Sequence, residues 1–266
     1  MRVLVHLSDL HFGRVDHRLL SPLAERVRAV HPHLVVVSGD LTQRAKAAQF
    51  RDARRFLDTL PRPQLVVPGN HDVPLYNVFQ RFLQPLLKYR RYISPELEPE
   101  FVDAEIAVVG VNTARSAVFK GGRINALQID RVRQRLCDLT EPVKIVVTHH
   151  PFDLPEGHDA RQLVGRARQA MAMFASCGAD ILLAGHLHAS HTGDTAARYK
   201  IDNFAALVVQ AGTATSVRVR GEANSFNVLR VERPRVRIER YEWNGADFSV
   251  ASAETFTRTA GGWQRA

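Results

Sequence analysis

Five short blocks of the sequence are rich in Asp, Asn and His. They occur in the order Ser8-Asp9-Leu10-His11, Gly39-Asp40, Gly69-Asn70-His71-Asp72, His149-His150-Pro151 and Gly185-His186-Leu187-His188. Their carboxylate, amide and imidazole donors form a mixed set that suits Mn, Fe, Zn or Co better than Ca or Mg. In an extended Asp-x-His or His-x-His segment, alternate side chains point the same way and can reach one cluster. The blocks therefore predict a metal site built by Asp9, His11, Asp40, Asn70, His149, His186 and His188.

The distribution of histidines supports this interpretation. A single block is weak evidence, since Gly-Asp is a common turn and a lone His-x-His is more often a surface or core pair. Six of the twelve histidines lie in these blocks, however, and every block carries a donor of the right type. The other histidines are expected to be structural: His6, His17, His31, His33, His158 and His191. Of these, His191 follows the last block closely enough to touch a substrate.

Short apolar runs alternate with longer segments of helical period, which is typical of an α/β protein with buried strands. The predicted strands are residues 3–7, 34–38, 65–67, 106–111, 144–148 and 181–184. The predicted helices are residues 20–30, 45–60, 77–92, 126–139 and 161–176. Three further strands, with no helix between them, are expected at residues 206–210, 226–231 and 235–241. We expect one domain over residues 1–252 and a loose tail over residues 253–266.

The blocks follow predicted strands, and this placement brings distant residues together. Open α/β sheets bind ligands beyond the carboxyl ends of their strands, so five separate loops can converge on one site. Gly39, Gly69 and Gly185 would permit tight turns and a close approach of the backbone.

Composition sets broad limits on the protein. The chain has 266 residues, of which 45% are hydrophobic and 24% charged, within the globular range. No run of about 18 apolar residues occurs, so we expect no membrane helix. The first apolar strand leads straight into a metal block, so we expect no signal peptide and favour the cytoplasm. Cys137 and Cys177 stand outside any Cys-x-x-Cys pattern and are expected to be buried thiols rather than a disulfide or a zinc cluster.

The net charge of +9 favours anionic partners. Arg is spread along the whole chain, however, and charge alone does not separate a nucleotide from a nucleic acid or an anionic membrane.

Together the blocks resemble those of the calcineurin-like metallophosphoesterase superfamily, over residues 3–188. The resemblance implies an α/β fold, a four-layer αββα sandwich, with a dinuclear metal site at one edge. It further implies that Asp9, His11 and His188 hold the first metal, that Asn70, His149 and His186 hold the second, and that Asp40 bridges the two.

The chemistry of two-metal sites agrees with that division. Two ions about 3.5–4 Å apart need a shared anionic ligand, and a water held between them becomes a hydroxide that attacks phosphorus in line. His71, beside Asn70, is then free to donate a hydrogen bond or a proton toward the phosphate or the leaving oxygen, with Asn70 also touching substrate. Between adjacent histidines we favour His149 as the ligand, which leaves His150 to pack, hydrogen-bond or touch the substrate nearby.

The blocks also narrow the substrate class. At the second block, protein phosphatases of the superfamily carry a segment similar to Gly-Asp-x-x-Asp-Arg-Gly. This chain has Gly39-Asp40-Leu41-Thr42-Gln43-Arg44-Ala45 there and so lacks the Asp that partners the catalytic His of those enzymes. The His-His-Pro and Gly-His-Leu-His blocks look most similar to class III cyclic nucleotide phosphodiesterases. A phosphodiester is therefore the predicted substrate class, with a 3′,5′-cyclic nucleotide as the first candidate.

Two other enzyme classes share parts of the pattern. DNA repair exonucleases share Gly-Asn-His-Asp but usually carry an extra domain, and UDP-diacylglucosamine hydrolases, which cleave a lipid-linked pyrophosphate, also begin with a Ser-Asp-Leu-His block. Residues 76–93 mix aromatic, aliphatic and Arg side chains directly after the third block. Such a segment could dock on a membrane or cover a substrate, although a helix that packs on its own core is more common. A non-catalytic scaffold would require lost ligands, and none is lost. The sequence indicates no stable protein partner and leaves a homodimer open.

Overall fold

The computed structural model describes residues 1–117, 121–140, 143–155, 157–217, 221–260 and 262–266. The strands are β1 (Arg2–Leu7), β2 (Leu34–Ser38), β3 (Gln64–Val67), β4 (Glu100–Val102), β5 (Ile106–Gly110), β6 (Val143–Val147), β7 (Ile181–Ala184), β8 (His191–Asp194), β9 (Leu207–Gln210), β10 (Ser225–Glu232), β11 (Arg235–Trp243), β12 (Phe248–Thr259) and β13 (Gly262–Arg265). The α-helices are α1 (Leu20–Ala29), α2 (Ala47–Asp58), α3 (Val78–Leu83), α4 (Leu87–Tyr92), α5 (Ala126–Leu136), α6 (Ala167–Ser176) and α7 (Ala196–Tyr199).

Two sheets face each other in the middle of the molecule. One has the strand order β13-β12-β11-β10-β1-β2-β3, and the other has the order β4-β5-β6-β7-β9-β8. Leu4, Val36 and Leu183 belong to the core between the sheets. Helices α1 and α2 pack on the outer face of the first sheet, and α5 and α6 on the outer face of the second. The predicted four-layer αββα sandwich is confirmed.

The central strands are buried on both faces. Val3, Val5 and Leu7 of β1 belong to the core beneath α1 and α2, whereas Leu4 belongs to the core between the sheets. Strand β1 pairs in parallel with β2, and β2 with β3, while β5, β6, β7 and β9 form a parallel set in the second sheet. Loops that leave the carboxyl ends of these strands therefore meet at one edge.

The nine predicted strands agree with the observed ones within two residues at each end. Two predicted helices need correction. The helix expected over residues 77–92 is two short helices, α3 and α4, because Pro85 between them cannot continue a helix. The helix expected from residue 161 begins at Ala167, after a separate 3₁₀ turn at Ala160–Gln162.

The prediction of a loose C-terminal tail is wrong. Strand β12 runs on to Thr259 and pairs with both β11 and β13. Phe256 and Trp263 are 6% and 4% exposed in the core between the sheets. These two aromatic residues fix the end of the chain because their burial removes apolar surface from water.

The expectation of free thiols is also wrong. Cys137 and Cys177 form a disulfide. Each cysteine directly follows the last residue of a helix, α5 or α6, and these helices pack side by side on the second sheet. The pairing thus depends on helix packing, which the spacing of the cysteines does not reveal. In the described part of the chain, no helix is long and apolar enough to cross a bilayer.

Candidate metal centre

All seven predicted metal ligands meet at the edge formed by the strand ends, in two groups. The first group is Asp9, His11, Asp40 and His188, whose ligand atoms lie within 4.8 Å of one another. In the second group, the Asn70 Oδ1 atom lies 3.1 Å from both His149 Nε2 and His186 Nδ1.

Asp40, a member of the first group, also reaches the second. Its Oδ2 atom is 3.8 Å from His11 Nε2 and 3.4 Å from His149 Nε2. Its Oδ1 atom accepts a hydrogen bond from the backbone N–H of His71 at 2.8 Å. One carboxylate oxygen is thus fixed by the third block, while the other is directed toward both groups of ligands.

The donor atoms of the first group fit a cation. His11 Nε2 and His188 Nε2 approach within 3.2 Å, and the Asp9 Oδ1 atom lies 3.4 and 3.3 Å from them. This buried oxygen has no hydrogen-bond partner among the described residues, an arrangement that costs free energy in a purely protein environment. A metal ion with oxygen and nitrogen ligands would satisfy all three atoms.

Hydrogen bonds to backbone carbonyls set the tautomers of two histidines. The Nδ1 atom of His149 lies 2.8 Å from the Ser38 carbonyl oxygen, and that of His71 lies 2.9 Å from the Gln43 carbonyl oxygen. Because a carbonyl only accepts, each Nδ1 must carry the proton, which leaves Nε2 as the unprotonated atom of a neutral ring. For His149 this is the atom beside Asn70 and Asp40, as expected of a metal ligand held by an outer hydrogen bond.

The backbone of the metal edge is strained. Five of the predicted ligands have left-handed φ angles: Asp9 (54°), His11 (50°), Asp40 (54°), His186 (74°) and His188 (59°). Such conformations are uncommon outside glycine and cluster at functional sites. These conformations turn the backbone sharply at the strand ends and let the side chains reach the cluster. Nothing in the sequence pattern predicts them.

Two glycines let the loops pack closely. Gly39 has φ +93°, and a Cβ atom there would lie 2.7 Å from His149 Nδ1. A Cβ atom on Gly185 would collide with Ser8 Oγ and lie 2.7 Å from Asp9 Oδ2. A methyl group at either position would push a ligand out of the cluster, as the sequence predicts.

Asp72, the last residue of the third block, has a role that sequence reasoning missed. It accepts hydrogen bonds from the backbone N–H groups of Gly69 (2.9 Å), Thr42 (2.9 Å) and Leu41 (3.2 Å), and from the Thr42 hydroxyl (3.0 Å). Burial, together with the nearby charge of Asp40, raises the pKa of Asp72 to about 6. Asp72 ties the second block to the third and so holds Asp40 against Asn70. The sequence signal for this role was the position of Asp72 in the third block. A carboxylate alone, however, does not reveal whether it faces a metal or the backbone.

His150 lies beside the second group of ligands. Its ring centroid is 4.7 Å from that of His186, and its Nδ1 atom is 2.8 Å from Thr113 Oγ1. Its buried Nε2 atom has no hydrogen-bond partner within the described residues. Burial and the neighbouring His186 hold the pKa of His150 well below its usual value, so the ring is neutral.

His191, the other weak candidate, lies elsewhere. It is in β8 and lines a polar cavity of about 190 Å³ with Asn227, Arg240 and Glu254 from β10, β11 and β12. None of the residues that line this cavity is a predicted metal ligand. A contact between His191 and substrate stays a prediction.

The carboxylates at the edge are ionised at neutral pH. Burial alone would raise the pKa of Asp40, but the nearby His149 and His71 outweigh it and hold the pKa well below the ordinary value. Burial is likewise outweighed at Asp9, where His188 and His11 lower the pKa. Burial would lower the pKa of His149, but Asp40 raises it to about 9, so a cation must displace the proton on Nε2 before this ring can bind it. The edge thus provides two anionic carboxylates, from the predicted ligands Asp9 and Asp40, among imidazoles.

Comparison with known proteins identifies the family. A model of the calcineurin-like phosphoesterase family matches residues 2–190, a region that contains all five blocks. The chain belongs to this family. The expectation drawn from the blocks is thereby confirmed.

Known relatives are distant. The chain is 27% identical over 172 residues to the glycerophosphodiester phosphodiesterase GpdQ of Enterobacter lignolyticus (strain SCF1), a match that covers 59% of each chain. It spans 59% of the length of the curated relatives that it matches. Among solved structures, PhoD superimposes with a TM-score of 0.73 at 10% identity, over 99% of this chain and 71% of PhoD. The purple acid phosphatase PPD1 of yellow lupin (Lupinus luteus) superimposes with a TM-score of 0.71 at 11% identity, over 96% of this chain and 53% of PPD1. At these identities the structural likeness shows the fold.

Proposed function

We propose that this chain is a metal-dependent phosphodiester hydrolase and that a 3′,5′-cyclic nucleotide is the first substrate to test. The observation that carries the proposal is the position of Asp40, whose Oδ2 atom lies within 3.8 Å of His11 Nε2 and 3.4 Å of His149 Nε2. A carboxylate between two ligand groups is what a two-metal phosphoesterase requires.

The donor set suits Mn, Fe or Zn at both positions. Asp9, His11 and His188 would hold one ion, and Asn70, His149 and His186 the other, with Asp40 shared. When bound, the two ions would lower the pKa of water and neutralise charge on the phosphoryl oxygens.

His71 would act on the leaving oxygen. Hydrolysis breaks a P–O bond, and the departing oxygen must gain a proton. The His71 ring lies 4.9 Å from that of His11 at the border of the ligand cluster, and its Nδ1–H is committed to the Gln43 carbonyl. Its Nε2 atom can therefore donate only when the ring carries a second proton, which makes His71 a general acid rather than a neutral donor.

Gln43 supports a diester over a phosphoprotein. It stands where the protein phosphatases of the family carry the Asp that partners their catalytic His, and its side-chain amide nitrogen lies 3.4 Å from His71 Nδ1. A neutral amide side chain stabilises a protonated His71 less than a carboxylate would. The name of the relative GpdQ makes a glycerophosphodiester the natural comparison within the diester class.

One observation favours a second candidate, a lipid-linked pyrophosphate. Helix α3, which follows the His71 loop, exposes several large apolar side chains, among them Phe79 and Phe82. Such a surface could hold an acyl chain beside the metal edge.

Side-by-side rates of manganese-loaded protein test these alternatives. The panel holds a bis-aryl phosphate, a mono-aryl phosphate, cyclic AMP, a glycerophosphodiester, UDP-diacylglucosamine and single-stranded DNA. We expect the bis-aryl phosphate to react faster than the mono-aryl phosphate, and cyclic AMP to yield AMP. A clear preference for the monoester would refute the diester assignment. If only the glycerophosphodiester or only the lipid-linked pyrophosphate reacted, the assignment of a cyclic nucleotide as substrate would be refuted.

A further inference from the structure

Helix α3 has its polar and apolar faces reversed. Its only charged residue, Arg81, is 4% exposed, with Nε donating to the Ser116 carbonyl at 2.7 Å and Nη1 to the Pro74 carbonyl at 3.0 Å. On the opposite face, Phe79, Phe82 and Leu83 are 75%, 57% and 63% exposed. These three positions have the spacing of one helix face, which a surface helix normally turns toward the core.

The exposed apolar residues are concentrated in one segment, residues 76–87, which we call the apolar lip. Eleven large hydrophobic residues are exposed in the described part of the chain, and six of them lie in the lip: Tyr76, Val78, Phe79, Phe82, Leu83 and Leu87. Scattered exposed apolar residues are ordinary, but a contiguous group marks a surface that another molecule covers.

The lip is anchored to the molecule beside the metal edge. Helix α4 buries Tyr89, whose hydroxyl donates to the Val66 carbonyl at 2.8 Å. The guanidinium of Arg44 lies 5.8 Å above the ring of Tyr76, and the adjacent residue Gln43 accepts the hydrogen bond from His71. Whatever covers the lip therefore comes close to the catalytic loop.

The charges around the apolar lip indicate which kind of molecule covers it. Residues 73–95 contain no Asp or Glu, whereas Arg90 and Arg91 at the end of α4 are exposed. A second copy docked face to face through the lip would bring like charges together, because such an interface pairs the same patch with itself. An anionic lipid surface, in contrast, accepts both the apolar side chains and the cations.

We propose that the apolar lip inserts into the surface of an anionic bilayer and holds the metal edge against the lipid head groups. This proposal concerns where the protein binds and does not depend on the proposed substrate.

Co-sedimentation of the full chain with vesicles tests the proposal. The vesicles are either mixed phosphatidylglycerol and phosphatidylcholine or phosphatidylcholine alone. We expect binding to the anionic vesicles, with a partition coefficient that falls at least about tenfold in Phe79→Ser/Phe82→Ser, because each phenyl ring loses its apolar burial. The control Val250→Ser changes an exposed apolar residue on β12 and should bind as the wild type does.

A second double variant measures the electrostatic contribution to vesicle binding. Arg90→Gln/Arg91→Gln should weaken binding about fivefold for each charge removed, and phosphatidylcholine alone should bind less than the mixed vesicles. Absence of wild-type binding, or binding that neither double variant weakens, would overturn the proposal. It would also be overturned if sedimentation velocity without lipid showed a dimer that Phe79→Ser/Phe82→Ser dissociates, since the lip would then cover a second copy. Circular dichroism confirms that each variant is folded.

Discussion

The metal edge and the apolar lip are neighbours in the fold, and each places side chains against the usual pattern of burial. At the metal edge, Asp9, His11 and Asp40 are 0–1% exposed although they carry polar donors. At the lip, Phe79 is 75% exposed while Arg81 is buried. A buried set of donors requires a partner small enough to enter, such as a cation, whereas an exposed apolar helix requires a partner outside the molecule. In both regions, residues placed against their burial preference are what single out the candidate site.

The largest effect is expected when the metal edge loses its shared carboxylate. Asp40→Ala should reduce hydrolysis of a bis-aryl phosphate to background, because both ligand groups lose a ligand. Initial rates with excess manganese measure this. Asp52→Ala, which alters an exposed carboxylate on α2, is the matched control and should retain full activity.

A smaller effect on turnover is expected at the border of the metal edge. His71→Ala should slow turnover by about 10²–10⁴ with metal content unchanged, the range for a placed general acid. A diester with a better leaving group should show a smaller defect. An equal defect for all leaving groups would instead assign His71 to charge stabilisation, and loss of metal would make it a support for the ligands. The exposed His17 offers a neutral control as His17→Ala.

A substitution at Asp72 tests whether the buried polar groups of the metal edge also stabilise the fold. Asp72→Asn replaces an acceptor oxygen by an NH₂ group that faces N–H donors of Gly69, Leu41 or Thr42. The free energy of unfolding should fall by about 1–3 kcal/mol, the cost of buried unsatisfied groups. Urea denaturation gives the value, with Asp52→Asn as the control. Unchanged stability would mean that the loops are held by other contacts.

The smallest effect is expected at the lip. Phe79→Ser should change the free energy of unfolding by no more than about 0.5 kcal/mol, because the ring is already in water. Phe50→Ala, at a residue on the buried face of α2 that is 0% exposed, should lower it by about 3–5 kcal/mol. A comparable loss for Phe79→Ser would show that the lip packs on the core, and the contrast between the two regions would fail.

The sequence predicts which side chains gather at the metal edge because their positions depend on strand ends, and buried strands are readable from apolar runs such as Leu34–Ser38. It does not predict the left-handed φ angles of Asp9 or His186, since these arise from the convergence of loops in space. The break at Pro85 was readable from the residue itself. The Cys137–Cys177 disulfide and the burial of Trp263 were not, because both depend on contacts between segments far apart in sequence.

Metal content per chain tests the two-metal claim most directly. Elemental analysis of manganese-loaded and desalted protein should give two ions per chain for the wild type and nearly none for Asp40→Ala, since loss of the shared carboxylate leaves two mutually repelling cations. A wild type that holds one ion, or an Asp40→Ala variant that keeps two, would contradict the account.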